Sequence, residues 1–150
     1  MSVTVARAGL DDVDALAPLF AAYRAFYAQT DDLPLARAFL HERMRHGESV
    51  ALLARLDGNA AGFVQLYPSF SSVSAARIWI LNDLFVAAAA RRRGVAQALL
   101  EAASAFARSD GAIRLELETD LGNDAAQALY RAMGWQSFDG TLRFRLPLAG

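Results

Sequence analysis

The stretch from Ile78 to Leu100, IWILNDLFV followed by AAAA and RRRGVAQALL, limits what this chain can fold into more than any other. Its opening run of β-branched, aromatic and aliphatic residues has the composition of a central strand covered on both faces. From Val95 onward, Val95, Leu99, Ala102, Ala103 and Phe106 recur at helical spacing among strong helix formers. The join between the two is unusual. Arg91, Arg92 and Arg93 are expected in the first turn of the helix, where the dipole is already positive and cations cost stability. That arrangement makes sense if an anion sits there, because unpaired N–H groups at a helix start bind phosphate and Gly94 lets a ligand approach the backbone. The segment reads as a pyrophosphate cradle. The competing reading is a solvated basic face that happens to begin a helix.

Other chemistries are limited by what the chain lacks. It has no cysteine, which excludes disulfides, thiolate metal sites and a cysteine nucleophile. Its two histidines, His41 and His46, lie in the polar run HERMRH and read as a solvated helix face, so no metal site is expected. A net charge of −1 argues against a general nucleic-acid or membrane binder. No basic-then-apolar segment opens the chain and no apolar run reaches the ~18 residues of a membrane span, so a cytoplasmic location is expected. At 150 residues, with no repeat or linker, a single domain over 1–150 is expected.

Read in order, Val3 to Ala8 is a strand broken by Gly9, and Asp11, Asp12 and Asp14 load the start of a helix over Val13 to Tyr27. Pro18 inside that pattern predicts an early turn or a kink. A polar break at Thr30-Asp31-Asp32 precedes a second helix, Leu35 to Arg45, ended by Gly47. Strands at Ser49 to Leu56 and Ala60 to Tyr67 flank the tight turn Asp57-Gly58-Asn59, and residues 68–72 read as a loop. After the arginine-led helix come a strand at Ile113 to Glu118, a helix at Ala125 to Met133, and short strands at Trp135 to Phe138 and Leu142 to Leu146. The order β-α-α-β-β-β-α-β-α-β-β predicts a mixed α/β fold.

Two motifs in this order resemble the GNAT superfamily of acetyl-CoA-dependent N-acetyltransferases. Arg91-Arg92-Arg93-Gly94-Val95-Ala96 fits the family's Q/R-x-x-G-x-G/A signature after its fourth strand. Asn123-x-x-Ala126-x-x-Leu129-Tyr130-x-x-x-Gly134-Trp135 resembles its N-x-x-A-x-x-L-Y-x-x-x-G-F/W element. A dinucleotide fingerprint and a P-loop both fail, for want of G-x-G-x-x-G and of G-K-[ST]. The resemblance implies a mostly antiparallel central sheet with helices on both faces and a splayed fourth and fifth strand. It implies acetyl-CoA as co-substrate and no metal. By the match, backbone amides of Arg92 to Ala96, with Arg91 beside them, hold the pyrophosphate. Leu84, Phe85 and Val86 offer backbone groups to the pantetheine arm, a ligand pairing with a strand edge. Asn123 and Ala126 add coenzyme contacts, and Tyr130 both touches the coenzyme and protonates the leaving thiolate, a role a phenol suits.

Asn82 and Asp83 are polar inside an apolar run, where unsatisfied burial would cost about 1–3 kcal/mol. They are read as lining the acceptor's site or as an internally satisfied pair. The polyamine-type branch carries Glu-Asp at this point, so Asp83, or a water held by both, is the better base; Asn82 cannot take a proton. Alternation along a strand predicts that the two face opposite ways. Tyr23, Phe26, Tyr27 and Asp31 fall in the family's acceptor region, with core packing as the plainer account of the rings. Aromatics beside carboxylates suit a cationic amine. The resemblance thus implies acetylation of a primary amine (a polyamine, an amino acid or a related small amine) in a ternary complex. Acetylation of a protein lysine or N-terminus, and an acetyl-CoA sensor without turnover, are the alternatives; nucleic-acid binding through the arginines ranks last. A homodimer through C-terminal strands is expected from relatives.

Overall fold

In the computed structural model the apolar runs of the first 118 residues assemble into one five-stranded sheet. The structure describes residues 2–149, which fall into two compact units, one ending at Glu118 and one beginning at Thr119. The strands are β1 (Val3–Arg7), β2 (Val50–Leu56), β3 (Asn59–Ser71), β4 (Ala76–Val86) and β5 (Leu115–Glu116), hydrogen-bonded in that order. The first three pairings are antiparallel and β4–β5 is parallel. The helices are α1 (Val13–Phe26), α2 (Leu33–Arg45) and α3 (Val95–Ser109) in the first unit and α4 (Asp124–Ala132) in the second.

Consecutive residues of β3 show the layering. Phe63 packs its ring edge-on against Phe20 and Tyr23 of α1, while the Cα of Gly62 faces Val95 and Leu99 of α3. Successive strand residues face opposite sides, so α1 and α3 cover opposite faces of the sheet. Leu16, Leu40, Leu53 and Phe63 are fully buried on the α1–α2 side, and each such side chain contributes about 1.5–3 kcal/mol.

The β2–β3 hairpin turns at Asp57 and Gly58, both at positive φ, as Asp-Gly predicts. α2 starts two residues earlier than its periodicity indicates, because Asp32 caps it through Oδ1 to the Leu35 N–H at 3.0 Å. Pro18 does not break α1; near a helix start the ring removes one hydrogen bond, that to the Asp14 carbonyl. The loop predicted over 68–72 is largely strand: β3 runs on to Ser71 opposite Ala76. Pro68 is tolerated because β2 ends opposite Leu66, leaving that edge of β3 open where an N–H is dispensable.

The strand expected over Ile113 to Glu118 shrinks to Leu115–Glu116. In the second unit, among the described residues, the strands expected at Trp135 to Phe138 and Leu142 to Leu146 do not form. Alternation supplies the pattern but no ladder: Leu142, Phe144, Leu146 and Leu148 are all more than 80% exposed. A two-stranded ribbon without a packed face is marginal.

Candidate active site

The site begins with a defect in β4. Gln65 pairs with Asp83, but the next residue of β3, Leu66, pairs with Leu81, so Asn82 is an extra residue without a partner. Such a bulge swaps the faces on which side chains emerge. Trp79, before it, packs on Phe106 of α3 at 5.0 Å between ring centroids, whereas Phe85, after it, meets Tyr23 of α1 and Phe63. Asp83 therefore lies on the α1 face. The expectation that Asn82 and Asp83 face apart needs correction, since the bulge lets Asn82 Nδ2 donate to Asp83 Oδ1 at 2.8 Å.

Asp83 is only 2% exposed, the most enclosed acidic group among the described residues. Its other oxygen, Oδ2, accepts from Gln65 Nε2, and the Tyr23 hydroxyl hydrogen-bonds the same carboxyl. The Tyr23 hydroxyl also donates to the Asn82 carbonyl at 3.5 Å. Burial pushes the Asp83 carboxyl above the usual carboxylate range, and the three donors pull partly back. Desolvation and the neighbouring Asp83 charge in turn raise the Tyr23 phenol, and the same two causes push Tyr67 up to about 12. A carboxyl poised upward beside neutral phenols is a proton acceptor of useful strength.

From this carboxyl an aromatic path leads outward along α1. Tyr23 meets Tyr27 at 5.1 Å, and Tyr27 meets Phe26 at 5.2 Å, both edge to face. Tyr23 is half-buried, Tyr27 and Phe26 are exposed. Asp31 is exposed as well.

Among the described residues β5 pairs with β4 only at Trp79–Leu115 and Ile80–Glu116, so no strand pairs with residues 81–86 of β4 on that edge. Leu84, Phe85 and Val86 lie on it, and an extended ligand can pair with such an edge. After a short 3-10 turn (Ala88–Ala90) comes the arginine segment, where the sequence reading needs a second correction. Arg91, Arg92 and Arg93 precede the helix: Arg92 sits at φ 63, Gly94 at φ 78 is the N-cap, and α3 begins at Val95. Two left-handed residues so close together turn the chain sharply before a helix can propagate. Among the described residues no side chain caps α3, and a Cβ on Gly94, at the mouth of the helix, would meet nothing within 4 Å. Arg91 Nε donates to the Val86 carbonyl at 3.3 Å, tying the turn to the end of β4. Val95 is buried and Ala96 is half-buried.

Gly62 holds this mouth in place. A Cβ there would lie 2.7 Å from the Phe85 carbonyl oxygen and 3.2 Å from Val95 Cγ1, so only glycine lets α3 start against the end of β4. Sequence reasoning missed Gly62, Gln65 and Tyr67. A lone glutamine in the apolar run FVQLY was the available signal for the second.

In the second unit Asn123 caps α4, its Oδ1 accepting from the Ala126 N–H at 3.3 Å. Tyr130 is half-buried, its ring 6.0 Å from that of Trp135, and its carbonyl accepts from the Trp135 N–H.

Residues 14–135 match the model of the acetyltransferase (GNAT) family. The uncharacterized N-acetyltransferase YhfO of Bacillus subtilis (strain 168) is 45% identical over 96% of this chain and 97% of its own. An aminoglycoside N(6')-acetyltransferase type 1 of Klebsiella aerogenes is 30% identical over 73% of this chain and 74% of its own. A crystal structure of a probable acetyltransferase superposes with a TM-score of 0.91 at 42% identity, covering 98% of this chain and 99% of the other.

Proposed function

The chain belongs to the GNAT family of acetyltransferases, and from that premise we propose that it acetylates a cationic primary amine of the polyamine or amino-acid type. The observation that carries this reading is Asp83, a carboxyl enclosed by tyrosines at the inner end of an aromatic path along α1. Rings attract a cation through their faces, and a buried carboxylate rewards the one that arrives.

Acetyl-CoA, the family's co-substrate, supplies an acyl group activated as a thioester. The residues present suit it: the unpaired edge of Leu84 to Val86 can take an amide-bearing arm, and the open helix mouth at Gly94, with the arginines before it, can take a diphosphate. Asp83 accepts the proton that the ammonium must lose before its nitrogen attacks, directly or through the Tyr23 hydroxyl. N–H groups of the β4 edge polarise the carbonyl under attack. Tyr130, by its match to the family's motif, donates the proton to the departing sulfur. The apolar alternation at Leu142, Phe144 and Leu146 supports pairing with a second copy of the chain.

The relative named as an aminoglycoside N(6')-acetyltransferase favours a second reading, in which the amine is borne by a polycationic sugar. An acetyl-CoA turnover assay across polyamines, amino acids, lysine peptides, aminoglycosides and neutral aromatic amines separates these. Turnover confined to the neutral aromatic amines would overturn the cationic assignment.

A further inference from the structure

Gln65 is fully buried in the middle of β3, directly across from Asp83 in the register of the sheet. Its Nε2 donates to Asp83 Oδ2, while its Oε1 is buried with no hydrogen-bond partner among the described residues. A buried acceptor left without a donor is costly, and a methionine would fill the same volume without one. The amide must therefore do something that an apolar side chain cannot. Its neighbours Phe63, Val64 and Leu66 are fully buried too, so it has no solvent to turn to.

An amide differs from every apolar group in offering a donor and an acceptor on one planar end, exchanged by a half-turn of its last bond. Facing a carboxylate, only the Nε2 side fits; facing a carboxylic acid, the Oε1 side can accept the acid's O–H. We propose that Gln65 is the positioning residue of Asp83 in both of its protonation states, donating to the carboxylate and, after that half-turn, accepting from the acid. The inference rests on Asp83 as the base, which must be held in place before and after it takes the proton. Asn82 Nδ2 donates to the other oxygen, Oδ1, which stays an acceptor when the proton is carried on Oδ2.

Other groups around Asp83 also bear on its titration. Tyr23 from α1 and Tyr67 from β3 both face it, and Arg43 from α2 acts on Tyr67. None of them is altered by a change at Gln65, so their contribution is common to every variant.

The test is the titration of the Asp83 carboxyl carbon by NMR in the wild type, Gln65→Leu and Gln65→Glu, alongside the pH dependence of kcat/KM for the acceptor. Gln65→Leu removes a bond from each protonation state, and because the one to the charged form is the stronger, the proton affinity of Asp83 should rise by up to about tenfold. Gln65→Glu should raise it further, because two facing carboxyls share one proton. The acid limb of the rate profile should move up in step, with the KM for acetyl-CoA unchanged. A Gln65→Leu variant whose Asp83 titrates as in the wild type would overturn the proposal, since a merely structural glutamine lowers stability and leaves the titration alone. If neither variant folds, the side-chain amide resonances of native Gln65 must shift at the Asp83 midpoint; resonances that stay put across it overturn the proposal equally. An Asp83→Asn variant with full activity and an unaltered profile would instead remove Asp83 as base, while the NMR coupling of the two side chains would stand.

Discussion

The turn at Arg91 to Gly94 and the bulge at Asn82–Asp83 lie on either side of the last residues of β4, yet they are made from different materials. The turn is built from backbone: two left-handed residues, an uncapped helix start and open space beside a glycine. The bulge is built from side chains: one enclosed carboxyl, two amides and the tyrosines around it. A backbone-built site is indifferent to most side-chain changes and vulnerable to whatever alters φ. A side-chain site has the opposite sensitivities. If, as proposed, the turn holds the coenzyme and the bulge the acceptor, the first should fail in binding and the second in turnover.

The sharpest break of this contrast comes from Asp83→Asn. If Asp83 is the base, kcat should fall about 10²–10⁴-fold, with coenzyme affinity in calorimetry near that of the wild type. A matching loss of coenzyme affinity would mean the two regions are not separable. Tyr130→Phe should likewise lower kcat far more than coenzyme affinity, and unchanged turnover would remove Tyr130 from its assigned role. At the other end, Gly94→Val places a β-branched residue at φ 78, a strain of about 1–3 kcal/mol, and should weaken coenzyme A binding by tenfold or more. Uptake untouched by that change would dismiss the cradle.

Gly62→Ala should register first as stability. A methyl 2.7 Å from the Phe85 carbonyl oxygen forces β4 and α3 away from β3, at about 1–3 kcal/mol, read as a lowered Tm, with weaker coenzyme binding following from the displaced helix mouth. The smallest effect concerns pH. Asp83 titrates higher folded than unfolded, so its contribution to stability is complete below the unfolded pKa and is lost as pH rises through the raised folded value. Asp83→Asn should remove that component of the Tm-against-pH curve. A curve of identical slope would mean the carboxyl is not desolvated.

What could be read from the sequence tracks the same division. Asp57-Gly58 announces its turn because positive φ leaves a residue-level mark, and the motif ending in Gly134-Trp135 announces the region of Tyr130, whereas in sequence the turn at Arg92 to Gly94 reads as part of the helix. The bulge leaves no such mark. Asn82 becomes the odd residue only through the registers of Gln65 with Asp83 and Leu66 with Leu81, which are properties of two strands together. Gly62 escaped notice for a related reason: its neighbour in space is the Phe85 carbonyl, remote in sequence. The over-long fifth strand and the two C-terminal strands failed in the other direction. Alternation at Leu142, Phe144 and Leu146 states what a strand would bury, not whether a ladder is present to receive it.

The unpartnered Asn82 has a consequence for how this strand can change. Every position after it is displayed with inverted parity relative to every position before it, so its removal by a one-codon deletion would restore an unbroken pleat. Asp83 would then follow Leu81 directly, keep its place opposite Gln65 on the α1 face, and lose only the Asn82 amide. The partner on β3 aims the carboxyl, and the extra residue brings one more donor to it.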